Sequence, residues 1–70
     1  MIDPGEIASL AEIYDRYANA FERLSPDRLQ ARRLFFARLE TLYQQEGAGL
    51  DFEAFRFEMV KRCKEYLKKN

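Results

Sequence analysis

The stretch Leu24-Ser25-Pro26-Asp27-Arg28-Leu29 combines the main signals that start a helix. Ser25 is a good N-cap residue because its side-chain oxygen accepts a hydrogen bond from a free N–H group of the first turn. Pro26 falls at the first helical position, where a missing N–H group costs nothing. Leu24 and Leu29 have the spacing of a hydrophobic staple, in which residues N′ and N4 pack together. The stretch therefore predicts a helix that begins at Pro26, with a tight turn before it.

The same signals occur twice more in the 70-residue chain. The two further copies are Ile2-Asp3-Pro4-Gly5-Glu6-Ile7 and Leu50-Asp51-Phe52-Glu53-Ala54-Phe55. No segment alternates apolar and polar residues as a strand does. We therefore expect one all-α domain over residues 1–70, a small up-down-up three-helix bundle. Its predicted helices cover residues 4–23, 26–46 and 52–68.

Each predicted helix carries a stripe of apolar residues at spacings of three and four. The stripe of helix 1 comprises Ile7, Leu10, Tyr14, Tyr17, Phe21 and Leu24. The stripe of helix 2 comprises Leu29, Phe35, Phe36, Leu39, Leu42 and Tyr43. The stripe of helix 3 comprises Phe52, Phe55, Met59, Cys63, Tyr66 and Leu67. The helix 2 stripe spans about 160° at about 100° per residue, which predicts that helix 2 packs between two neighbours.

The residue types present argue against an enzyme and against a metal site. The chain has no histidine, so it lacks the usual general base near neutral pH. Its single cysteine, Cys63, does not suffice for a zinc site and lies on an apolar stripe, where a small core residue is expected. Neither a phosphate-binding glycine loop nor a Gly-x-Ser-x-Gly turn occurs. We expect a non-enzymatic protein with no cofactor, no metal and no small-molecule substrate.

The sequence also predicts the compartment. The start of the chain has no basic segment followed by an apolar one, as a secretory signal would have. No apolar run approaches the roughly 20 residues that span a bilayer. A single cysteine fits a reducing environment. We expect a soluble, cytoplasmic protein that does not interact with membranes.

Charge is balanced overall but divided into blocks along the chain. The 12 basic and 12 acidic residues give a formal net charge of zero. Residues 1–22 and 40–58 each hold five acids and one base, whereas residues 23–39 and 59–70 each hold five bases and one acid. In antiparallel helices, neighbouring blocks of opposite sign favour one topology, although exposed pairs contribute only about 0–1 kcal/mol each.

Four residues depart from the stripes, and such departures are where function is expected to show. Leu34 lies about 140° from Leu29 around helix 2, and Phe57 lies about 140° from Phe52 around helix 3, so both are predicted to face solvent. Two exposed apolar residues on adjacent helices indicate a partner surface. Conversely, Arg32 and Arg56 fall inside the apolar arcs. Their stems are predicted to pack at a bundle edge, with the guanidinium groups reaching an acid such as Asp15 or Glu22, or stacking on Tyr14 or Tyr17.

These observations favour a small protein–protein interaction module, an adaptor or an inhibitor that docks through a helix face, of the kind found among phage or plasmid accessory proteins. Exposed apolar side chains are expected to anchor the partner, and basic side chains to orient it. The predicted partner is another protein or a second copy of the chain, since a small bundle gains stability from dimerising. The predicted partner-binding residues are Leu34, Arg38, Phe57, Lys61, Lys64 and Lys68.

Nucleic-acid binding is the alternative interpretation. A glycine turn before a basic third helix resembles a helix-turn-helix module in outline, but the start of that helix carries acids that repel phosphate. The isoelectric point near 6.2 is also low for a DNA-binding domain. A basic stripe would nevertheless hold a phosphate backbone without sequence specificity. That stripe would comprise Arg28, Arg32, Arg33, Arg38, Lys61, Lys64 and Lys68.

Overall fold

The computed structural model describes residues 2–19, 25–47 and 49–69. Three helices form: α1 (Pro4–Ala18), α2 (Pro26–Glu46) and α3 (Phe52–Lys69). The helices pack against one another around one apolar core, and the described residues contain no strand. The predicted all-α three-helix bundle is confirmed.

All three helices begin with the predicted side-chain caps. In each case the oxygen of an Asp or Ser side chain accepts a hydrogen bond from a first-turn N–H group. The three bonds are Gly5 N to Asp3 Oδ1 at 3.0 Å, Arg28 N to Ser25 Oγ at 3.1 Å and Ala54 N to Asp51 Oδ1 at 2.8 Å. Because these caps are local, the sequence pattern was sufficient to locate the start of each helix.

The predicted hydrophobic staples are less uniform than the caps. Ile2 and Ile7 are both buried and both belong to the core, as the first staple requires. Leu24 lies outside the described residues, and its predicted partner Leu29 is exposed. Leu50 is also exposed, at 46%, although its predicted partner Phe55 is buried. Leu29 does not belong to the core, so its predicted place in the α2 core stripe is wrong.

The helix ends match the predictions for α2 and α3 but not for α1. Helix α1 ends at Ala18, and the N–H of the C-cap residue Asn19 bonds to the carbonyl of Asp15. The predicted continuation to residue 23 falls on positions 20–23, which lie outside the described residues. Helix α2 ends at Glu46, as predicted, and Gly47 caps it in an ordinary helical conformation. The left-handed conformation belongs to Gly49, which has φ of +82°.

The middle helix is α1 and not α2, which corrects the prediction from the breadth of the α2 stripe. Helix α1 packs against both neighbours, whereas α2 and α3 contact each other least. The completely buried Ala11 has a small side chain, which permits close approach to α1. Part of the broad α2 arc is covered by its own arginine, because the Arg32 guanidinium lies 5.2 Å from the centroid of the Phe36 ring. The broad apolar arc of α2 therefore did not make α2 the middle helix.

The core combines one buried row from each helix. Helix α3 contributes residues four positions apart, and α2 contributes a longer row that faces α1. The buried core comprises Ile2, Ile7, Leu10, Ala11, Phe35, Leu39, Leu42, Phe55, Met59 and Cys63. Phe35 lies at its centre, with ring centroids 5.4 Å from Tyr14 and 5.7 Å from Tyr17. Near the Gly47–Leu50 joint, the Tyr43 ring contacts Phe52 and Phe55, so the end of α2 meets the start of α3 there.

Candidate interaction surface

The outward side of α3 bears the most exposed large apolar side chain among the described residues. Phe57 is 71% exposed, as the sequence predicted. It lies about 200° around the helix from the buried Phe55, so the packing that buries Phe55 directs Phe57 to solvent. Among the described residues, the cavity beside Phe57 is lined by residues of α3 alone.

Phe57 forms one end of a groove along this side of α3. The groove has a volume of about 330 Å³. We call it the α3 groove, and its lining residues are Phe57, Val60, Lys61, Lys64, Glu65 and Lys68. Four of the six residues predicted to bind a partner therefore lie together on one face. They share it because the steps from 57 to 61, 64 and 68 alternate between four and three, which is the helical repeat.

Charge and apolarity change along the α3 groove from one end to the other. Its start is apolar, with Phe57 and the half-buried Val60, and exposed Ala54 lies one turn before Phe57. Its continuation carries three lysines and one acid, Glu65. The groove thus offers an apolar contact and then a row of ammonium groups with a local net charge of +2, from three lysines and one glutamate.

The acidic start of α3 is partly neutralised within the helix. The Arg56 guanidinium donates a hydrogen bond of 2.7 Å to Glu53 Oε2. This hydrogen bond, and then the positive charge of Arg56, lower the pKa of the Glu53 carboxyl. The sequence had predicted that an arginine inside an apolar arc would reach Asp15 or Glu22, or a tyrosine. For Arg56 the structure instead shows an ion pair one turn back along its own helix.

Leu34 and Arg38, the other two predicted partner-binding residues, lie elsewhere. Leu34 is exposed, as predicted, and lines a shallow cavity of about 250 Å³ between α1 and α2, together with Ile13, Ala37, Arg38 and Thr41. Arg38 also borders a cavity at the start of α1 that contains Asp3 and Glu6. Leu34 and Phe57 line different cavities. The structure therefore brings together the α3 residues and separates Leu34 and Arg38 from them.

The predicted basic stripe is divided in the same way. The guanidinium of Arg28 lies 5.3 Å from the centroid of the Tyr17 ring, and that of Arg32 lies over Phe36. These two arginines thus cover an aromatic cluster between α1 and α2, which includes Phe35. The lysines of the α3 groove lie on the helix that contacts α2 least. The two halves of the stripe do not line a common groove among the described residues.

Cys63 is buried in the core, as predicted. Burial raises the pKa of its thiol to about 11, so the thiol is protonated near neutral pH and is a poor nucleophile. The nearby Tyr14 has a pKa raised first by burial and then by Tyr17 and Cys63. Within residues 2–19, 25–47 and 49–69, no group of three or more acidic or thiol side chains is placed to hold a metal ion.

Sequence reasoning missed some surface residues. Leu29 and Leu50 are exposed, although both had been assigned to staples. Val60 was given no role, yet it lines the α3 groove beside Phe57. The signal for Val60 was present, because it follows Phe57 by three positions and precedes Lys64 by four.

Comparison with protein-family models, with curated proteins and with solved structures finds no match to this chain. None of the described helices is both long enough and apolar enough to cross a membrane. The geometry and the charges of the surface are therefore what indicate a function.

Proposed function

We propose that this chain is a small non-enzymatic interaction module, an adaptor or inhibitor that docks a protein partner on the α3 groove. The observation that carries the proposal is the exposed Phe57 at one end of a groove bordered by three lysines. Aromatic side chains with adjacent charges are typical of the residues that dominate binding energy in interfaces. The anchor residue is Phe57, and Lys61, Lys64 and Lys68 orient the partner.

This surface is separable from the forces that hold the fold. The inner row of α3, which includes Met59 and Cys63, is buried, while the residues of the groove other than Val60 have little or no share in the core. Substituting Phe57 therefore changes what the surface binds and leaves core packing unchanged. Such a division between a packed face and an exposed aromatic is expected of a docking helix.

Leu34 and Arg38 form a second, smaller surface between α1 and α2, and we propose for it an accessory role at most. Its exposed apolar residue is less exposed than Phe57, at 43% against 71%. Arg38 borders acidic side chains of its own chain at the start of α1. A partner that uses both surfaces would have to reach around the bundle.

A protein partner is favoured over nucleic acid by the composition of the α3 groove. A phosphate backbone would engage the three lysines but would leave Phe57 and Val60 without a role. Acidic Glu58 lies next to Phe57 and would repel a phosphate backbone that runs along the whole groove. The arginines of α2 do not extend the groove, because two of them cover aromatic rings. We expect no retention of a random 20-base-pair duplex at about 50 mM salt, where electrostatic binding is strong.

The compartment that we propose is the cytoplasm. The single cysteine is buried and cannot form a disulfide within the chain, which fits a reducing environment. An accessory protein of phage or plasmid type would meet its partner there. The partner belongs to the same compartment.

The experiment that tests the proposal is site-specific photocrosslinking in the cells that encode the chain. A photoreactive phenylalanine analogue replaces Phe57 in one variant and Leu29 in the control variant. Leu29 is a good control because it is exposed but lies outside the α3 groove. We expect a discrete crosslinked protein at position 57 and none at position 29.

A third variant with the analogue at Leu34 tests the accessory surface. The proposal is wrong if position 57 yields no crosslinked protein, or if position 29 yields the same products with equal efficiency. Crosslinks at 34 in place of 57 would move the docking surface to the cavity between α1 and α2.

A further inference from the structure

We infer that the α3 groove binds an acidic amphipathic helix, with an apolar residue over Phe57 and a row of carboxylates over Lys61, Lys64 and Lys68. The inference rests on the proposed function and names the chemistry of the partner. Its basis is the order of side chains along the groove, apolar first and cationic afterwards. The partner must show the complementary order.

The dimensions of the groove set the length of the partner helix. Lys68 lies 11 positions after Phe57, which spans about 16 Å at about 1.5 Å per residue. The three lysines alone span about 10 Å, two helical turns. A partner helix of roughly four turns covers both parts. Its carboxylates should recur at spacings of three and four, so that they share the face that meets the lysines.

The neighbouring acids on α3 add a constraint on the partner. Glu65 lies on the groove between the levels of Lys64 and Lys68. It offers a place for one basic side chain at the acidic end of the partner helix. At the other end, Glu53 is already paired with Arg56, so it does not require a basic side chain on the partner. We therefore expect three acids and at most one base on the docking face.

Helices α1 and α2 of a second copy, over the residues that the structure describes, do not supply this complement. The exposed apolar residues of α2, Leu29 and Leu34, lie among arginines that would repel the lysines. On α1, the exposed Glu12 and Asp15 lack a large exposed apolar residue beside them.

Pairing of α3 with α3 of a second copy would leave part of the lysine row without a complement. If two α3 helices paired antiparallel with the Phe57 side chains in register, each Lys61 would lie opposite Glu53 of the other copy. Lys64 and Lys68 would then lie opposite positions 50 and 46, beyond the first residue of that helix. Two of the three lysines would then lie beyond the facing α3 helix and lack acids on it, so a separate acidic helix is the better complement.

A membrane surface does not match the groove either. A helix that lies in a lipid interface carries an apolar stripe along its length, with lysines on the flanks. On α3 the lysines occupy the continuation of the apolar stripe, after Phe57 and Val60. Burying Phe57 in the acyl region would bring only the start of the helix to the bilayer.

The test is a selection from a phage-displayed library of 20-residue helical peptides with randomised exposed positions. The immobilised bait is the full chain, and peptides that also bind the Phe57→Ser variant are removed. We expect selected peptides to carry one or two large apolar residues followed, or preceded, by three acids at helical spacing. Mixed or basic docking faces among the peptides that depend on Phe57 would overturn the acidic-helix inference but leave the proposed function standing.

A failure of the proposed function gives a different result. If no peptide that binds the chain loses binding to Phe57→Ser, the α3 groove is not a docking site and both proposals are wrong. Light scattering of the free chain, without peptide, measures whether it associates with itself. A dimer of wild type that dissociates in Phe57→Ser would assign the groove to self-association and overturn the inference.

Charge exchange tests the lysine row directly, with one selected peptide. Replacing a single acid on its docking face by Gln should weaken binding about two- to fivefold, the effect of one exposed ion pair. Lys64→Glu should weaken binding of the original peptide by more, because it replaces attraction by repulsion. A peptide with Lys at the facing position should recover the loss. The matched control Arg33→Glu makes the same charge change on α2, outside the groove, and should alter affinity less than twofold.

Discussion

Phe35 and Phe57 are the same residue type in a buried and an exposed position, so their substitutions show how much each position contributes to the free energy of unfolding. Phe35 is 1% exposed, and its ring packs on Tyr14, Tyr17 and Phe36. Phe57 is 71% exposed. We predict that Phe35→Ala destabilises the fold severely and that Phe57→Ala does not.

The magnitudes follow from burial. Removing a fully buried Phe side chain costs about 3–5 kcal/mol, from lost transfer energy and from the cavity left behind. Phe57 hides less than a third of its surface, which corresponds to roughly 60 Å² and at most about 1.5 kcal/mol at 25 cal/mol per Å². The better helix propensity of Ala returns about 0.5 kcal/mol of this loss. We therefore expect Phe57→Ala to cost about 1 kcal/mol or less.

Total stability decides how the assay is designed. A chain of 70 residues has a free energy of unfolding of about 3.5–10 kcal/mol, from about 0.05–0.15 kcal/mol per residue. Phe35→Ala alone can therefore unfold the chain, so the series includes Phe35→Leu, for which about 1–2 kcal/mol is expected. Urea unfolding followed by circular dichroism at the helix band measures each variant, and equal m-values permit comparison.

Each position has one result that would refute its assignment. If Phe57→Ala cost as much as Phe35→Leu or more, Phe57 would be part of the packing, and its exposure would not identify a docking surface. If Phe35→Leu cost nothing, the central position of Phe35 in the core would be wrong. A stable Phe57→Ala protein makes any loss of partner binding attributable to the surface.

Three further predictions concern the helix cap, the glycine joint and the buried thiol. Asp51→Ala removes the 2.8 Å bond to Ala54 N, so it should cost about 1 kcal/mol and lower the Tm by about 4–8 °C in a thermal melt; an unchanged Tm would contradict the cap. Gly49→Ala should cost about 1 kcal/mol in urea unfolding, because φ is +82° while no atom within 4 Å opposes a Cβ; a neutral result would contradict the left-handed conformation. Burial raises the pKa of Cys63 from 9.0 to about 11, so the contribution of its buried thiol to stability is complete below pH 9 and is lost as the pH rises to 11. In urea titrations, the difference in unfolding free energy between wild type and Cys63→Ala should therefore shrink from pH 9 to pH 11. A constant difference would show that the thiol is accessible to solvent.

Local features of the fold were predictable from the sequence, and relations between helices were not. The caps at Asp3, Ser25 and Asp51 involve residues two or three positions apart, so the sequence pattern specifies them almost completely. The exposure of Leu34 and Phe57 followed from the helical repeat in the same way. In each case the deciding interactions lie within one helix.

The identity of the middle helix depends on packing between helices, which the stripes alone do not determine. The arc of α2 was broad enough for two neighbours, but Arg32 covers Phe36 where a third helix was expected. The predicted single patch of Leu34 and Phe57 fails for a related reason. Whether two outward residues on different helices share a surface depends on the rotation of each helix about its axis, and on which helices touch.

Helix α3 has one face that packs in the core and another that carries the groove. The inner row, with Phe55, Met59 and Cys63, is buried against the rest of the core, whereas Phe57 and the lysines have no described neighbour from another helix in the groove. The partial burial of Phe57 contributes at most about 1.5 kcal/mol to folding, at 25 cal/mol per Å². Most of its ring stays exposed in the folded chain, so that apolar surface is available for burial by a partner. A partner that covers Phe57 and neutralises the lysine row would bury that surface, and we propose an acidic helix as that partner because apolar side chains precede the lysines along the groove.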